Sequence, residues 1–213
     1  LLQHGGNPDV ALTYAQVARR ATKRGVPIVI SPHGMLERCA LARRQYAKRI
    51  ASILYQDTIL ASATCIHATS EGEYESFRRL GFGSPVAIIP WGVELPSAGM
   101  QERKVGCNVR LPKKRFALCL SRIHPHKGLD LLLAAWARVQ STFHQWTLVI
   151  AGHDEDGYRS TLIVQVKRLG IAESVIFVGP VHGAEKEGRF ADAELFVLAS
   201  RSENFGLVVA EAL

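Results

Sequence analysis

The sequence has few cysteines and no long hydrophobic run. Its four cysteines are scattered and form no C-x-x-C pair, so neither a zinc site nor a disulfide framework is predicted. They are Cys39, Cys65, Cys107 and Cys119. Every apolar run is far shorter than the roughly 20 residues that span a bilayer, and the first residues lack the charged-then-apolar pattern of a signal peptide. These absences predict a soluble chain in the reducing cytoplasm.

What the sequence contains is an ordinary globular composition with a basic excess. With 213 residues, 47% hydrophobic and 21% charged, the chain can bury one large core or two small ones. The net charge is +7, and its surplus is concentrated in residues 38–49 and 103–115. Such patches predict an anionic partner: a phosphate-rich ligand, a membrane surface or nucleic acid. Nucleic acid is disfavoured, because no aromatic stacking platform is interleaved with these charges.

Short apolar runs alternate with helical patterns along the chain. Three strand–helix units precede a Pro-, Gly- and Lys/Arg-rich linker at residues 95–115, and four follow it. The predicted strands are Val26–Ile30, Cys65–Thr69, Val86–Ile89, Phe116–Leu120, Trp146–Gly152, Val175–Gly179 and Leu195–Leu198. The run at 26–30 is continuously apolar, as a strand covered on both faces would be. The alternation predicts an α/β protein with two Rossmann-like domains, residues 1–98 and 99–213, and ligands at the carboxyl ends of strands.

The last strand leads into a polar loop and a helix start. Glu203 in the loop and Glu211 in the helix are carboxylates, which accept hydrogen bonds and suit the hydroxyl pairs of sugars. The segment Phe205-Gly206-Leu207 offers backbone N–H groups at the helix start, and Gly206 permits close approach of a phosphate. Glu203 has a second interpretation, as a helix cap or dipole partner. Sugar and phosphate together suggest a nucleotide-sugar site.

A second candidate site follows strand 116–120. Arg122 and Lys127 stand in a loop that ends at Gly128 before a helix, an arrangement with which α/β domains hold phosphate. His124 and His126 form H-x-H without a third ligand nearby, and they are interpreted as loop-surface residues. The acids of residues 154–156 resemble a metal-binding D-x-D, but their place before a helix favours stabilisation of the helix N-terminus.

Three segments of the chain resemble glycosyltransferase family 4, whose members are retaining enzymes of the GT-B fold. E-N-F-G-L-V-V-A-E resembles the family's E-x7-E motif, which implies that Glu203 contacts the transferred sugar and Glu211 the donor ribose. R-x4-K-G resembles the diphosphate-binding segment, which implies that role for Arg122 and Lys127. S-P-H-G-M-L resembles the segment whose His, here His33, lies beside the sugar. Residues 90–94 depart from the family pattern at Trp91 and Glu94 and are assigned no role, and His67 is interpreted as structural.

The resemblance implies a metal-independent, hexosyltransferase-like enzyme of polysaccharide biosynthesis. It would move a sugar from a nucleotide-diphosphate donor to a glycan or lipid-linked acceptor without a cofactor. Two routes to retention stay open, a carboxylate nucleophile or same-face attack. Family members are longer, so both domains are expected to be incomplete and the chain a fragment. The alternatives are a non-catalytic nucleotide-sugar binder and a GT-B-type UDP-sugar epimerase.

A helix at residues 40–57 is predicted to be amphipathic with a basic side. A solvated face of a core-packed helix is the favoured interpretation, since the apolar stripe is narrow and lacks interfacial Trp. Attraction to anionic lipid or to a lipid-diphosphate acceptor is the alternative, which would place the protein peripherally at the membrane.

Overall fold

The computed structural model describes residues 2–3, 16–18, 20–33, 60, 62–93, 115–201, 203 and 205–213. The predicted basic helix 40–57, the linker as far as residue 114 and the predicted boundary between residues 98 and 99 lie outside this set. The chain forms two compact units, Leu1–Gly92 with Glu203–Phe205, and Val93–Ser202 with Gly206–Leu213. Each unit contains one parallel sheet.

The first unit is built on a four-stranded sheet in the order β1-β2-β3-β4. Its strands are β1 (Leu2–Gln3), β2 (Val29–Ser31), β3 (Cys65–Ala68) and β4 (Val86–Ile88), all parallel. β2 begins later than predicted, since Pro27 has no N–H and the Ile28 N–H donates to the Thr64 hydroxyl (3.1 Å) instead. The prediction that this strand is covered on both faces is wrong for Val29, which is 40% exposed, whereas Ile28 and Ile30 are buried.

Helix α1 (Glu71–Arg79) begins after Ser70, whose S-x-x-E spacing with Glu73 is typical of a helix start. Ser70 Oγ accepts a hydrogen bond from the Glu73 N–H (3.2 Å), and Glu73 Oε2 accepts from the Thr69 N–H (2.8 Å) and hydroxyl (3.0 Å). The helix then buries Phe77 against the sheet. The remaining buried members of this core are Ala18, Ile28, Ile30, Leu60, Ala63 and Ile66.

The second unit repeats the strand–helix alternation at greater length. Its elements are β5 (Arg115–Leu120), α2 (Leu129–Val139), β6 (Trp146–Ala151), α3 (Tyr158–Arg168), β7 (Val175–Gly179), α4 (Gly183–Asp192), β8 (Leu195–Phe196) and α5 (Leu207–Glu211). All four strands are parallel, in the order β7-β6-β5-β8. The chain therefore winds outward from β5 in one direction and returns to its other side with β8.

Alternate residues of the central strands bury on opposite faces of this sheet. On one face Ala117, Cys119, Leu148 and Ile150 join the larger core, and on the other Phe116, Leu118, Val149 and Ala151 join a smaller one. Full burial of a Leu or Ile contributes roughly 1.5–3 kcal/mol, so this doubly covered sheet is the rigid base of the second unit. Burial in this apolar setting raises the pKa of the Cys119 thiol to about 11.

One basic residue assigned to the linker belongs to the sheet. Arg115 opens β5, and its Nε and Nη2 donate to Glu194 Oε2 at 2.8 and 2.5 Å. The guanidinium also lies 4.8 Å from the centre of the Trp146 ring. The predicted linker is therefore one residue too long, and the charge of Arg115 is balanced within the chain. Hydrogen bonding to Arg115 lowers the pKa of Glu194.

Candidate functional site

The strand order of the second unit reverses between β5 and β8. From β5 the chain adds β6 and β7 on one side, and it then returns to place β8 on the other side of β5. Open α/β sheets bind ligands where the strand order reverses in this way. The loop after β5 carries Arg122 and Lys127, and the loop after β8 leads to Glu203.

The loop after β5 is shaped by a short 3-10 turn, Pro125–Lys127, between two caps. His124 Nδ1 accepts a hydrogen bond from the His126 N–H (3.2 Å), and Gly128 ends the turn in the left-handed conformation, φ 60° and ψ 24°. The two imidazoles stack at 5.2 Å between ring centres. The prediction of two loop-surface histidines is wrong for His124, which is only 5% exposed, because its ring serves as the cap.

The loops after β5 and β8 are in direct contact. A Cβ atom on Gly128 would lie 2.0 Å from the carbonyl oxygen of Ala199, so only glycine permits this approach. The Arg201 N–H donates to the His126 carbonyl (2.9 Å), and the Arg201 guanidinium pairs with Asp130 Oδ2 (2.6 Å) at the start of α2. The loop that carries Arg122 and Lys127 therefore lies beside the segment that leads to Glu203. Glu203 and Glu211 together form the two-glutamate motif.

Arg122 lies at the surface and is paired within the chain. Its Nη1 donates to Glu155 Oε2 at 2.6 Å, and its side chain is 64% exposed. The neighbouring Asp154 Oδ1 accepts a hydrogen bond from the Arg159 N–H (3.0 Å) in the first turn of α3. Two acids of the D-x-D-like segment are thus engaged with the protein, one as a helix cap and one as the partner of Arg122.

The two-glutamate motif spans a loop and the short helix α5. Glu203 is exposed, Phe205 and Gly206 are half-buried, and Gly206 has φ 69° at the helix start. The exposed Leu207 begins α5, and Glu211 ends it. Glu211 Oε2 forms an ion pair with Lys186 Nζ of α4 at 2.6 Å. This partner could not be predicted from the sequence, because Lys186 lies in a polar helix without a recognisable motif.

His33 lies in the first unit, just beyond the carboxyl end of β2. Its backbone is left-handed, φ 51°, and its ring stacks on Trp91 with 5.1 Å between ring centres. Burial lowers the pKa of His33, with a smaller opposing contribution from Glu73 and a reinforcing one from His67. Sequence reasoning missed Trp91, whose aromatic type at a strand end was the only available signal.

Within the described residues, no group of three or more His, Cys, Asp or Glu side chains is arranged to hold a metal ion. The same part of the chain contains no helix that is long and apolar enough to cross a membrane.

Both halves of the chain match known glycosyltransferase families. Residues 102–213 match the family described as glycosyl transferases group 1, and residues 4–92 match a glycosyl transferase 4-like domain. The chain belongs to the glycosyl transferases group 1 family. This membership confirms the family that the sequence motifs indicated.

Two curated relatives illustrate the similarity. The chain is 29% identical over 207 residues to the GDP-mannose:cellobiosyl-diphosphopolyprenol alpha-mannosyltransferase of Xanthomonas campestris, covering 94% of this chain and 50% of the relative. It is 30% identical over 211 residues to D-inositol 3-phosphate glycosyltransferase 2 of Catenulispora acidiphila, covering 92% and 49%. The chain therefore spans about half the length of these relatives.

A solved structure shows the same fold. Anabaena Alr3699/HepE in complex with UDP and glucose superimposes with a TM-score of 0.73 at 21% identity, covering 97% of this chain and 55% of the other. The predicted fold class, two partial Rossmann-like α/β units of the GT-B type, is confirmed.

Proposed function

We propose that the protein to which this chain belongs is a retaining glycosyltransferase. It moves a sugar from a nucleotide-diphosphate sugar to an acceptor, a glycan or a lipid-linked glycan, as part of polysaccharide biosynthesis. One observation carries this proposal beyond family membership. The contact between Gly128 and Ala199 and the bond from Arg201 to His126 hold the loop that carries Arg122 and Lys127 against the segment that leads to Glu203.

The donor diphosphate is assigned to Arg122 and Lys127, with the Gly206 backbone closing the site. The Arg122 guanidinium can grip two phosphate oxygens at once, and Lys127 adds a point charge. Binding requires Arg122 to exchange Glu155 for phosphate. Since the Arg122 side chain is 64% exposed, its ion pair contributes only about 0–1 kcal/mol, and the exchange costs little.

The sugar parts of the donor are assigned to carboxylates and to His33. Glu203 would contact the transferred sugar, and Glu211 would accept hydrogen bonds from the ribose hydroxyls through the oxygen that does not contact Lys186. Phe205 and Leu207 flank the phosphate-facing glycine. Lys186 would act as a positioning residue that holds the Glu211 carboxylate.

In the proposed reaction, departure of the nucleoside diphosphate builds negative charge on its phosphates. Lys127, together with Arg122 once it has exchanged Glu155 for phosphate, would stabilise that charge, which is the role a divalent metal has in other transferases. No cofactor is expected, because Arg122 and Lys127 would themselves offset the charge of the leaving diphosphate.

We further propose that residues 1–98 form the acceptor side and residues 99–213 the donor side, and that the protein acts in the cytoplasm. Peripheral attraction of the basic segment 40–57 to anionic lipid is a hypothesis that liposome co-sedimentation tests directly. Binding that does not depend on anionic lipid would exclude it. Nucleic acid is not expected to be a ligand, and an affinity for it that falls steeply with salt would contradict this expectation.

The deciding experiment uses the full-length protein and a panel of UDP-, GDP- and ADP-sugars. The matching donor should raise the melting temperature, because a ligand at 100 times its Kd adds about 2.7 kcal/mol to the free energy of unfolding. Labelled donor should then transfer its sugar to a glycan or lipid-linked acceptor with retained configuration. Binding without transfer or hydrolysis would identify a non-catalytic binder, and isomerised sugar-nucleotide an epimerase.

A further inference from the structure

A chain of hydrogen-bonding groups reaches His33 from the opposite side of β3. His67 Nε2 lies 2.8 Å from the carbonyl oxygen of Ile89, and His67 Nδ1 lies 2.8 Å from Ser31 Oγ. Ser31 Oγ in turn lies 3.4 Å from His33 Nδ1. Ser31 is almost completely buried, at 1% exposure, so its hydroxyl hydrogen must find a partner inside this group.

The chemistry of these atoms determines the direction of the two shorter bonds and biases the direction of the third. A carbonyl oxygen only accepts, so a neutral His67 ring carries its proton on Nε2 and donates to Ile89. His67 Nδ1 is then an acceptor, and the single Ser31 hydroxyl hydrogen points to it. Ser31 Oγ therefore turns lone pairs toward His33, which favours a proton on His33 Nδ1. The remaining nitrogen of His33, Nε2, is left as an acceptor.

We propose that Ser31 and His67 are positioning residues that hold His33 in its Nδ1-protonated tautomer and present Nε2 as a hydrogen-bond acceptor. This is the reverse of the tautomer that a free histidine side chain favours in water. The 3.4 Å contact between Ser31 Oγ and His33 Nδ1 is longer than the two 2.8 Å contacts of His67, so it is the weakest of the three and biases the His33 tautomer. The two shorter bonds determine where the Ser31 hydroxyl hydrogen points.

The surroundings of His33 restrain both its backbone and its ring. Its φ of 51° is uncommon outside glycine, and such conformations persist where the surroundings enforce them. Trp91 stacks on the ring and fixes its plane. Nε2 is shielded from solvent and has no hydrogen-bond partner among the described residues. Burial lowers the pKa of His33 and favours the neutral ring, although Glu73 opposes this and His67 adds to it.

If the proposed function holds, this tautomer determines which part of the ligand His33 can contact. A neutral ring with Nε2 as acceptor binds a hydroxyl group and does not attract a phosphate oxygen, since two acceptors repel. His33 Nε2 would therefore accept from a sugar hydroxyl of the substrate, and the groups that shield Nε2 from solvent would have to move aside for it. Phosphate recognition would remain with Arg122 and Lys127.

The test is ¹⁵N NMR of the imidazole nitrogens in the full-length protein without donor. The spectra are recorded at pH 8, which is above the ordinary imidazole pKa of about 6.5 and therefore above the lowered pKa of His33. The expected result is that His33 carries its proton on Nδ1 and His67 on Nε2. One net hydrogen bond of about 0.5–1.5 kcal/mol shifts the His33 tautomer ratio toward Nδ1 by about 2- to 13-fold relative to a free side chain. A His33 ring protonated mainly on Nε2 would overturn the proposal.

Substitutions test whether the hydrogen-bonded chain His67–Ser31–His33, called the relay below, sets the His33 tautomer independently of the fold. In His67→Phe the Ser31 hydroxyl is released to donate to His33 Nδ1, so the His33 proton should move to Nε2. His67→Asn supplies an amide oxygen near the position of Nδ1 and should keep the original tautomer. Ser31→Ala removes the link and should abolish the bias. His144→Phe, the same change at an exposed site of the second unit, should leave His33 unchanged.

These outcomes discriminate even if His67→Phe fails to fold, because the wild-type tautomer and the Ser31→Ala spectrum are read independently of it. If His33 keeps its proton on Nδ1 in both His67→Phe and Ser31→Ala, as in the wild type, the relay is refuted. Since no donor is present, the result is also independent of the proposed function. A protein that transfers no sugar but shows the expected tautomers would refute the function and leave the relay intact.

Discussion

Replacement of Gly128 by alanine tests the contact that unites the candidate site. Gly128 has left-handed φ and ψ of 60° and 24°, and an added Cβ would lie 2.0 Å from the Ala199 carbonyl oxygen. Alanine in this conformation costs about 1–2 kcal/mol, and the displacement that relieves the overlap costs about 1–3 kcal/mol more. The expected loss in the free energy of unfolding is therefore about 2–5 kcal/mol.

Gly157→Ala is the matched control. Gly157 also precedes a helix, with φ 73° and ψ 17°, but an added Cβ would have no neighbour within 4 Å. It should lose only the backbone contribution of about 1–2 kcal/mol. Urea unfolding followed by circular dichroism gives both values, and Gly128→Ala should also weaken donor binding more than the control does. Equal losses in the two variants would refute the Gly128–Ala199 contact.

The remaining predictions concern charge and protonation. Lys127→Ala or Arg122→Ala should lower turnover of the full-length protein roughly 100- to 1,000-fold, while EDTA has little effect; activity lost to chelator and restored by manganese would contradict the metal-free reaction. Glu155→Gln should release Arg122 and tighten donor binding up to about fivefold, and weaker binding would count against its assignment. Because the folded pKa of His33 is lowered, stability should fall as pH drops below about 6.5 toward that pKa; His33→Asn should flatten this slope in urea titrations, and an unchanged slope would exclude His33 as its source.

Local patterns predicted those features that depend on neighbours in the sequence. Apolar runs marked the strands, and the Ser70 and Glu73 spacing marked the start of α1. The element limits were less accurate, since Pro27 shortens β2 and Arg115 extends β5 into the expected linker. These differences arise from individual hydrogen bonds, which apolar periodicity does not encode.

The partners of the charged residues could not be predicted in the same way. Arg122 pairs with Glu155, 33 positions away, and Arg201 with Asp130, 71 positions away. Nothing in the residue types selects these partners from the other acids of the chain. The choice follows from the strand order, which brings remote loops to one edge of a sheet.

The sequence alone determined the α/β class, the presence of two units with parallel sheets, and the family, because these depend on periodicity and on contiguous motifs. Tertiary structure alone decided that His124 is a buried cap, that Lys186 holds Glu211, and that Ser31 links His67 to His33. Each of these depends on the distance between atoms of segments far apart in the chain. Such distances are set by how the strands pair and pack, and no local pattern contains them.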